Sequence, residues 1–189
     1  MVHVIFYIAL MEMTLENLKN AVAGESTASA AYAAYATKAS YEGYPAIQRL
    51  FEAASKAERV HAVNHMKVLE LLGGKVEDLD INIHVGTTSD NLRAAIAGET
   101  YEFESMYPSF IADAQAEDVP LAIRSFTWSL ESEKGHADLY RAALHQLEQG
   151  TPHALPNMYH VCLNCGDTFS SLAGLVMCPL CGKLPQRYK

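Results

Sequence analysis

The chain has 189 residues, half of them hydrophobic, and a formal net charge of −8. That size fits one domain of about 150 residues with a small appendage, and the acidic balance argues against a nucleic-acid-binding surface. No apolar run reaches the roughly 20 residues that span a membrane. The four cysteines form two C-x-x-C pairs near the C-terminus, which suits a metal site in a reducing, cytoplasmic setting rather than a disulfide framework.

In chain order, residues 1–12 read as an apolar extension without the basic start or small-residue cleavage site of a signal peptide. Residues 13–150 are expected to form a helical domain, 151–158 a Pro-containing linker and 159–189 a small metal-held module. The first helix is expected from Thr14, as N-cap, to Ser40, with Glu-Gly-Tyr-Pro at 42–45 breaking it. A second runs from Pro45 to Leu72 and stops at Gly73-Gly74. Residues 75–88 carry no helical period; a third helix begins near Ser89 and ends before Asp118, and a fourth runs from Pro120 to about Gln149. Short links make each pair an antiparallel hairpin. The middle connection of about 16 residues reaches roughly 50 Å when extended, more than the ~40 Å length of the second helix. The fold class is therefore an all-α four-helix bundle with one long crossover, ferritin-like in topology.

The two hairpins are copies. "ENLKNAVAGES" (Glu16–Ser26) matches "DNLRAAIAGET" (Asp90–Thr100) at an offset of 74, and Pro45, Arg49, Phe51, Glu58, His61 and Ala62 match Pro120, Arg124, Phe126, Glu133, His136 and Ala137 at 75. Each copy carries a lone Glu followed by a Glu-x-x-His: Glu25 with Glu58 and His61, and Glu99 with Glu133 and His136. Residues i and i+3 share a helix face, so four Glu and two His converge on one interior point. That is the ligand set of a carboxylate-bridged dinuclear site in a helical bundle, and its mixed donors favour iron or manganese over copper or structural zinc. A single Glu-x-x-His is ordinarily a surface pair; two in register, with matched upstream Glu in apolar helix, are not.

One asymmetry stands out. Glu102 follows Glu99 by three residues, where Ala28 follows Glu25. Two ferrous ions are balanced by four carboxylates, whereas two ferric ions favour a fifth, so Glu102 is expected to bind in the oxidised state and loosen in the reduced one; the bland alternative is a surface carboxylate. Tyr32 and Tyr107 share faces with Glu25 and Glu99 and are candidates either to hydrogen-bond ligand carboxylates or simply to fill the core. His65, a turn beyond His61, is expected to be a non-ligand, and Glu104 to be solvated.

Cys162, Cys165, Cys178 and Cys181 stand as C-x2-C-x12-C-x2-C, a four-thiolate site. Spacing alone does not choose zinc from iron. A Gly after each second Cys, Gly166 and Gly182, leaves room for N–H groups to approach the sulfurs, which tunes iron-site potentials.

"AGES", "AERVHAVNH", "AGETYEFESMYP" and "ESEKGHADLY", followed by two rubredoxin-like knuckles, occur in order over about residues 13–189. In these segments the chain closely resembles the rubrerythrin family. The resemblance implies that Glu25, Glu58, His61, Glu99, Glu102, Glu133 and His136 ligate two irons and act in catalysis, with Tyr32 and Tyr107 bonded to ligand carboxylates. It implies that the four cysteines hold one further iron and that His61 and Glu102 exchange on one iron with oxidation state. Zinc can replace iron in either site, because binding follows metal availability as well as geometry. Asp167 departs from the knuckle pattern, which often has Tyr after the Cys-Gly pair. The implied activity is a non-haem peroxidase that reduces hydrogen peroxide to water. Its electrons would come from rubredoxin or an NAD(P)H-dependent reductase, and the assembly would be a homodimer or small homo-oligomer. A ferroxidase or oxygen reductase, a di-iron oxygenase, or an iron store without turnover are the alternatives. No G-x-G-x-x-G nucleotide fingerprint is present.

Overall fold

A computed structural model describes residues 11–76, 78–171 and 174–184. The expected extension therefore lies outside the described residues as far as residue 10. Helix α1 (Glu12–Tyr41) begins two residues before the expected Thr14, which is fully buried inside it. No side chain caps it locally. Instead the Glu117 carboxylate accepts the Met13 and Thr14 N–H groups at 3.1 and 2.8 Å. A distant anion thus satisfies helix-start donors and complements the helix dipole, and a local cap is unnecessary.

Helix α2 (Pro45–Leu71) opens with proline in its first turn, and Gly73, at φ +87, follows its end. Helix α3 (Thr88–Tyr101) starts from a capping box in which Thr87 and Asp90 satisfy each other's backbone. The Thr88 N–H also donates to Glu42 at 2.8 Å. Glu42 lies in the α1–α2 turn, at the opposite end of α2 from Leu71, so the 72–87 connection runs the length of the bundle.

The third helix is not the continuous α-helix the sequence suggests. A π-turn (Glu102–Met106) separates α3 from α4 (Tyr107–Ala116), with Tyr107 N–H bonded to the Glu102 carbonyl. The repeat offset changes from 74 at Glu99 to 75 at Tyr107, so one residue more than in the first hairpin lies in this stretch. A π-turn is how a helix absorbs one extra residue while keeping its flanks in phase. It also places Pro108, which has no N–H, where α-helical spacing is already interrupted. Helix α5 (Pro120–Glu148) completes the bundle.

Two apolar clusters fill the bundle interior. Tyr32, Ile47, Leu50, Phe51, Leu92 and Tyr140 belong to one, and Leu18, Leu69, Tyr107 and Phe126 to the other. Each such side chain contributes about 1.5–3 kcal/mol on burial. The buried Glu and His residues sit in the same helices between these clusters. A 3-10 turn (Pro152–Ala154) leads to β1 (His160–Val161), which pairs antiparallel with β2 (Thr168–Phe169), His160 opposite Phe169. Leu155, Tyr159 and Val161 pack into the first cluster and tie the C-terminal module to the bundle. Among the described residues no helix is long and apolar enough to cross a membrane.

Candidate metal centre

Helices α1, α2, α3 and α5 each bring one Glu to the interior, and α2 and α5 each add a His one turn on. Glu25, Glu58, His61, Glu99, Glu133 and His136 are all essentially fully buried. They form two overlapping groups: Glu25, Glu58, His61 and Glu133 in one, and Glu58, Glu99, Glu133 and His136 in the other. Glu58 and Glu133 belong to both, the position of bridging ligands.

The geometry has the two-fold character of the repeat. His61 Nδ1 lies 2.8 Å from Glu58 Oε2, 2.9 Å from Glu133 Oε1 and 3.8 Å from Glu25 Oε2. His136 Nδ1 lies 2.8 Å from Glu133 Oε2, 3.1 Å from Glu58 Oε1 and 3.8 Å from Glu99 Oε1. Ligand atoms about 2.1 Å from an octahedral ion lie about 3 Å from one another, so the bridging contacts match donors arranged round a shared cation. Among the described residues, the buried Glu25 Oε2 and Glu99 Oε2 have no hydrogen-bond donor, and Glu133 Oε1 and Glu58 Oε1 face only the Nδ1 atoms of His61 and His136, each of which already lies 2.8 Å from another carboxylate. Orphaned buried carboxylate oxygens are costly unless a cation faces them.

Charge points the same way. Burial, then Glu133, pushes the Glu25 carboxyl up to about 8. Burial, then Glu58, raises Glu99 well above the usual range. Burial opposes ionisation of Glu58 too, but His136 and His61 overcome it and hold that carboxyl at about 2. Burial works against the His136 cation as well, yet Glu58 and Glu133 raise it to about 10. More carboxylates are gathered here than two imidazoles can balance, the arrangement of a site built around cations.

Tyr32 and Tyr107 each serve the opposite hairpin. Tyr32 donates to Glu99 Oε1 at 2.6 Å, and Tyr107 donates to Glu25 Oε1. Glu102 belongs to neither donor group and is largely buried. Burial, then the neighbouring charges of Glu25, Glu133 and Glu58, pushes its carboxyl well above the usual range. Glu104 is exposed.

His65 is neither a member of the donor groups nor solvent-facing. It is fully buried, with Nδ1 2.9 Å from Ser125 Oγ and Nε2 3.0 Å from Ser129 Oγ and 3.2 Å from Tyr107 Oη. Burial, then His61, lowers it to about 3, so it stays neutral. No local pattern in the sequence marks Ser125 and Ser129 as its partners, because they come from another helix.

The four cysteine sulfurs converge, with Cys162–Cys181 and Cys165–Cys178 each at 3.6 Å. A disulfide would bring sulfurs to about 2.05 Å, whereas a tetrahedral ion with 2.3 Å bonds separates them by about 3.8 Å. The glycines act differently from the simplest expectation. Gly166 and Gly182 have φ +89 and +70, and their own N–H groups bond to the Cys162 and Cys178 carbonyls. The N–H groups directed at sulfur come from Asn164 and Cys165 toward Cys162, Asp167 toward Cys165, and Leu180 and Cys181 toward Cys178. The Asp167 carboxyl lies 3.6 Å from Cys178 Sγ.

The module rests directly on the bundle site, a contact sequence reasoning missed. His136 Nε2 lies 2.9 Å from Thr168 Oγ1, and Asn64 donates to the Asn164 carbonyl at 2.8 Å. Gly166 packs so closely on the His61 ring that a methyl there would overlap Nε2. Both imidazoles therefore present Nδ1 to the carboxylates and Nε2 to the four-thiolate module.

Fold and site together define a four-helix protein with a dinuclear carboxylate–histidine centre and a mononuclear four-thiolate centre. Comparison with known proteins makes the class specific. The rubrerythrin family model matches residues 16–144. Rubrerythrin-2 of Clostridium acetobutylicum is 34% identical over 184 residues, covering 94% of this chain and 96% of that protein. Nigerythrin of Nitratidesulfovibrio vulgaris is 36% identical over 169 residues, covering 89% and 81%. A structure of fully reduced, all-ferrous nigerythrin superposes with a TM-score of 0.83 at 34% identity, over 93% of this chain and 85% of that one. A Desulfovibrio desulfuricans bacterioferritin, 18% identical with a TM-score of 0.70 over 76% of this chain and 84% of its own, shares the fold. The chain belongs to the rubrerythrin family. Its cofactors are accordingly iron: a di-iron centre in the bundle and an iron at the four cysteines.

Proposed function

We propose that this protein is a di-iron peroxidase that reduces hydrogen peroxide to water. The observation that carries this reading is the seating of the four-thiolate module against His61 and His136. An iron store needs no one-electron carrier in contact with its metal ligands; a centre that must be re-reduced after each turnover does. Within this reading Glu25, Glu58, His61, Glu99, Glu133 and His136 would hold the two irons, with Glu58 and Glu133 common to both donor groups, and Cys162, Cys165, Cys178 and Cys181 would hold the third. When bound in the ferrous state, the pair would supply the two electrons that cleave the O–O bond.

The chain's own groups orient and protect that chemistry. Tyr107 and Tyr32 fix the rotamers of Glu25 and Glu99, and the apolar clusters on either side exclude water from the ligand layer. Glu102 lies outside both donor groups and would be the carboxylate to replace His61 on one iron if the oxidised pair takes on more positive charge. Residues 13–150 act as the catalytic bundle, 151–158 as linker and 159–189 as the electron-entry module. The donor is rubredoxin or an NAD(P)H-linked reductase, in a reducing cytoplasm, and the assembly is a dimer or small oligomer.

Anaerobic stopped-flow mixing of the fully reduced protein with peroxide and with oxygen, following both iron chromophores, tests this. Peroxide should oxidise both centres faster than oxygen does. Faster oxidation by oxygen would make the protein an oxygen reductase. A large hollow shell in solution scattering would make it a store.

A further inference from the structure

A groove of about 400 Å³ lies between α1 and α3. Gly24, Thr27, Ala28 and Tyr35 line it from α1 and Ala94 and Gly98 from α3, and Tyr32 and Glu102 are also in its lining. Tyr32 donates to Glu99, so one lining hydroxyl touches a carboxylate of the donor cluster. Both glycines face open space: a β-carbon on either would meet nothing within 4 Å. The walls follow the internal repeat, Gly24 pairing with Gly98 and Ala28 with Glu102 at the offset of 74. The acid at Glu102 therefore has only the methyl group of Ala28 as its counterpart on the α1 side. No cationic side chain lines the groove.

Hydrogen peroxide does not need such a space. A water occupies about 30 Å³, and peroxide is only about twice that. Apolar, mostly methyl-lined clefts of a few hundred Å³ with polar groups at one end suit small organic molecules. Resting on the peroxidase reading above, we infer that this site also reduces small alkyl hydroperoxides, the hydrocarbon end lying in the Gly24–Gly98 groove and the hydroperoxide end directed past Glu102 to the metals. In this step the O–O bond of ROOH breaks. Two electrons come from the two ferrous ions, each becoming ferric, and two protons come from solvent, giving ROH and water.

The test compares tert-butyl hydroperoxide with hydrogen peroxide on the reduced, iron-loaded full chain, in wild type and in Gly98→Leu. Leucine has room there and raises helix propensity relative to glycine, so the variant should fold. Wild type should be oxidised by both compounds. Gly98→Leu should lower the ratio of tert-butyl hydroperoxide to hydrogen peroxide rate constants by at least about tenfold, the scale on which a filled apolar pocket discriminates. Ala97→Leu, one residue away on the exposed surface, should leave that ratio unchanged. A second readout needs no turnover: in the zinc-loaded full chain, tert-butanol should shift the Gly24 and Gly98 amide resonances, and Gly98→Leu should abolish the shift at Gly24. Oxidation by hydrogen peroxide alone, an unchanged ratio in Gly98→Leu, or no shift with tert-butanol would each overturn the groove inference and leave the peroxidase reading standing. Reaction with neither hydroperoxide would overturn the peroxidase reading, and this inference with it.

Discussion

Tyr107 stands between two buried groups. Its hydroxyl donates to Glu25 and is 3.2 Å from His65 Nε2. A neutral His65 satisfies this network by accepting a hydrogen bond from the Ser125 hydroxyl at Nδ1 and donating from Nε2. Tyr32 makes the equivalent bond to Glu99 but has no histidine behind it. Tyr32→Phe should therefore cost about 1.5–3 kcal/mol, the worth of a hydrogen bond to a charged acceptor. Tyr107→Phe should cost more, because His65 also loses a partner. Urea denaturation of the zinc-loaded variants measures both, and equal costs would show that His65 draws nothing from the Tyr107 hydroxyl. The tyrosines were visible in the sequence as face-sharing neighbours of Glu25 and Glu99. Which carboxylate each one serves was not, because each bond spans the two hairpins.

At the scale of the element, the π-turn joins a feature of the repeat to a feature of the site. Deleting Glu104 should convert α3 and α4 into one regular helix and restore the first hairpin's spacing. It would also place Pro108 inside an unbroken α-helix, at a cost of about 3 kcal/mol. The first hairpin has Ala33 at the matching position, at an offset of 75. Deletion alone should thus destabilise the protein, and deletion combined with Pro108→Ala should restore the melting temperature and two-metal binding. Failure of the combined variant to bind two metals would mean that the turn shapes the site beyond absorbing a residue.

The α1–α2 turn offers a pH-dependent test. Thr88, hydroxyl first and backbone N–H second, holds the Glu42 carboxyl at about 2, against an ordinary 4.5. Of the two, the N–H has hydrogen-bond geometry, at 2.8 Å. The folded value is depressed, so the stabilisation is fully present above pH 4.5 and is lost as pH falls toward 2. Glu42→Gln should cost about 1–2 kcal/mol near neutrality, with allowance for the side chain's partial exposure. In urea titrations across pH the two proteins should converge near pH 2. A pH-independent difference would assign the effect to packing.

For the whole molecule, the decisive contact is between module and bundle. Gly166 and Gly182 share a positive φ, so an alanine at either should cost about 1–3 kcal/mol of backbone strain. Only at position 166 would the methyl strike His61; at 182 it meets nothing within 4 Å. Gly166→Ala should therefore slow re-reduction of the di-iron centre by a donor that enters at the four-thiolate iron, while Gly182→Ala should not. Iron at the four cysteines, read from its thiolate absorption, should be retained in both. Equal slowing in the two variants would mean that electrons do not pass at the Gly166–His61 contact.

The sequence by itself determined the helices, the duplicated hairpin, the six buried Glu and His residues at its matched positions and the four cysteines. These are local patterns, with periods of three or four residues or short fixed spacings, and they survive without knowledge of the fold. It also held the trace of the π-turn, as a one-residue change in the repeat offset between Glu99 and Tyr107. The tertiary structure alone decided the rest. The start of α1 is set by Glu117 from another loop, not by Thr14. Glu58 and Glu133 become the carboxylates common to both donor groups because α2 and α5 place both between the two histidines. His65 is claimed by two serines from α5. The module settles where Thr168 and Gly166 meet the imidazoles. Each of these joins residues far apart in the chain through a single distance or a single steric fit. No periodicity encodes such a fit, and only packing of the whole chain selects it.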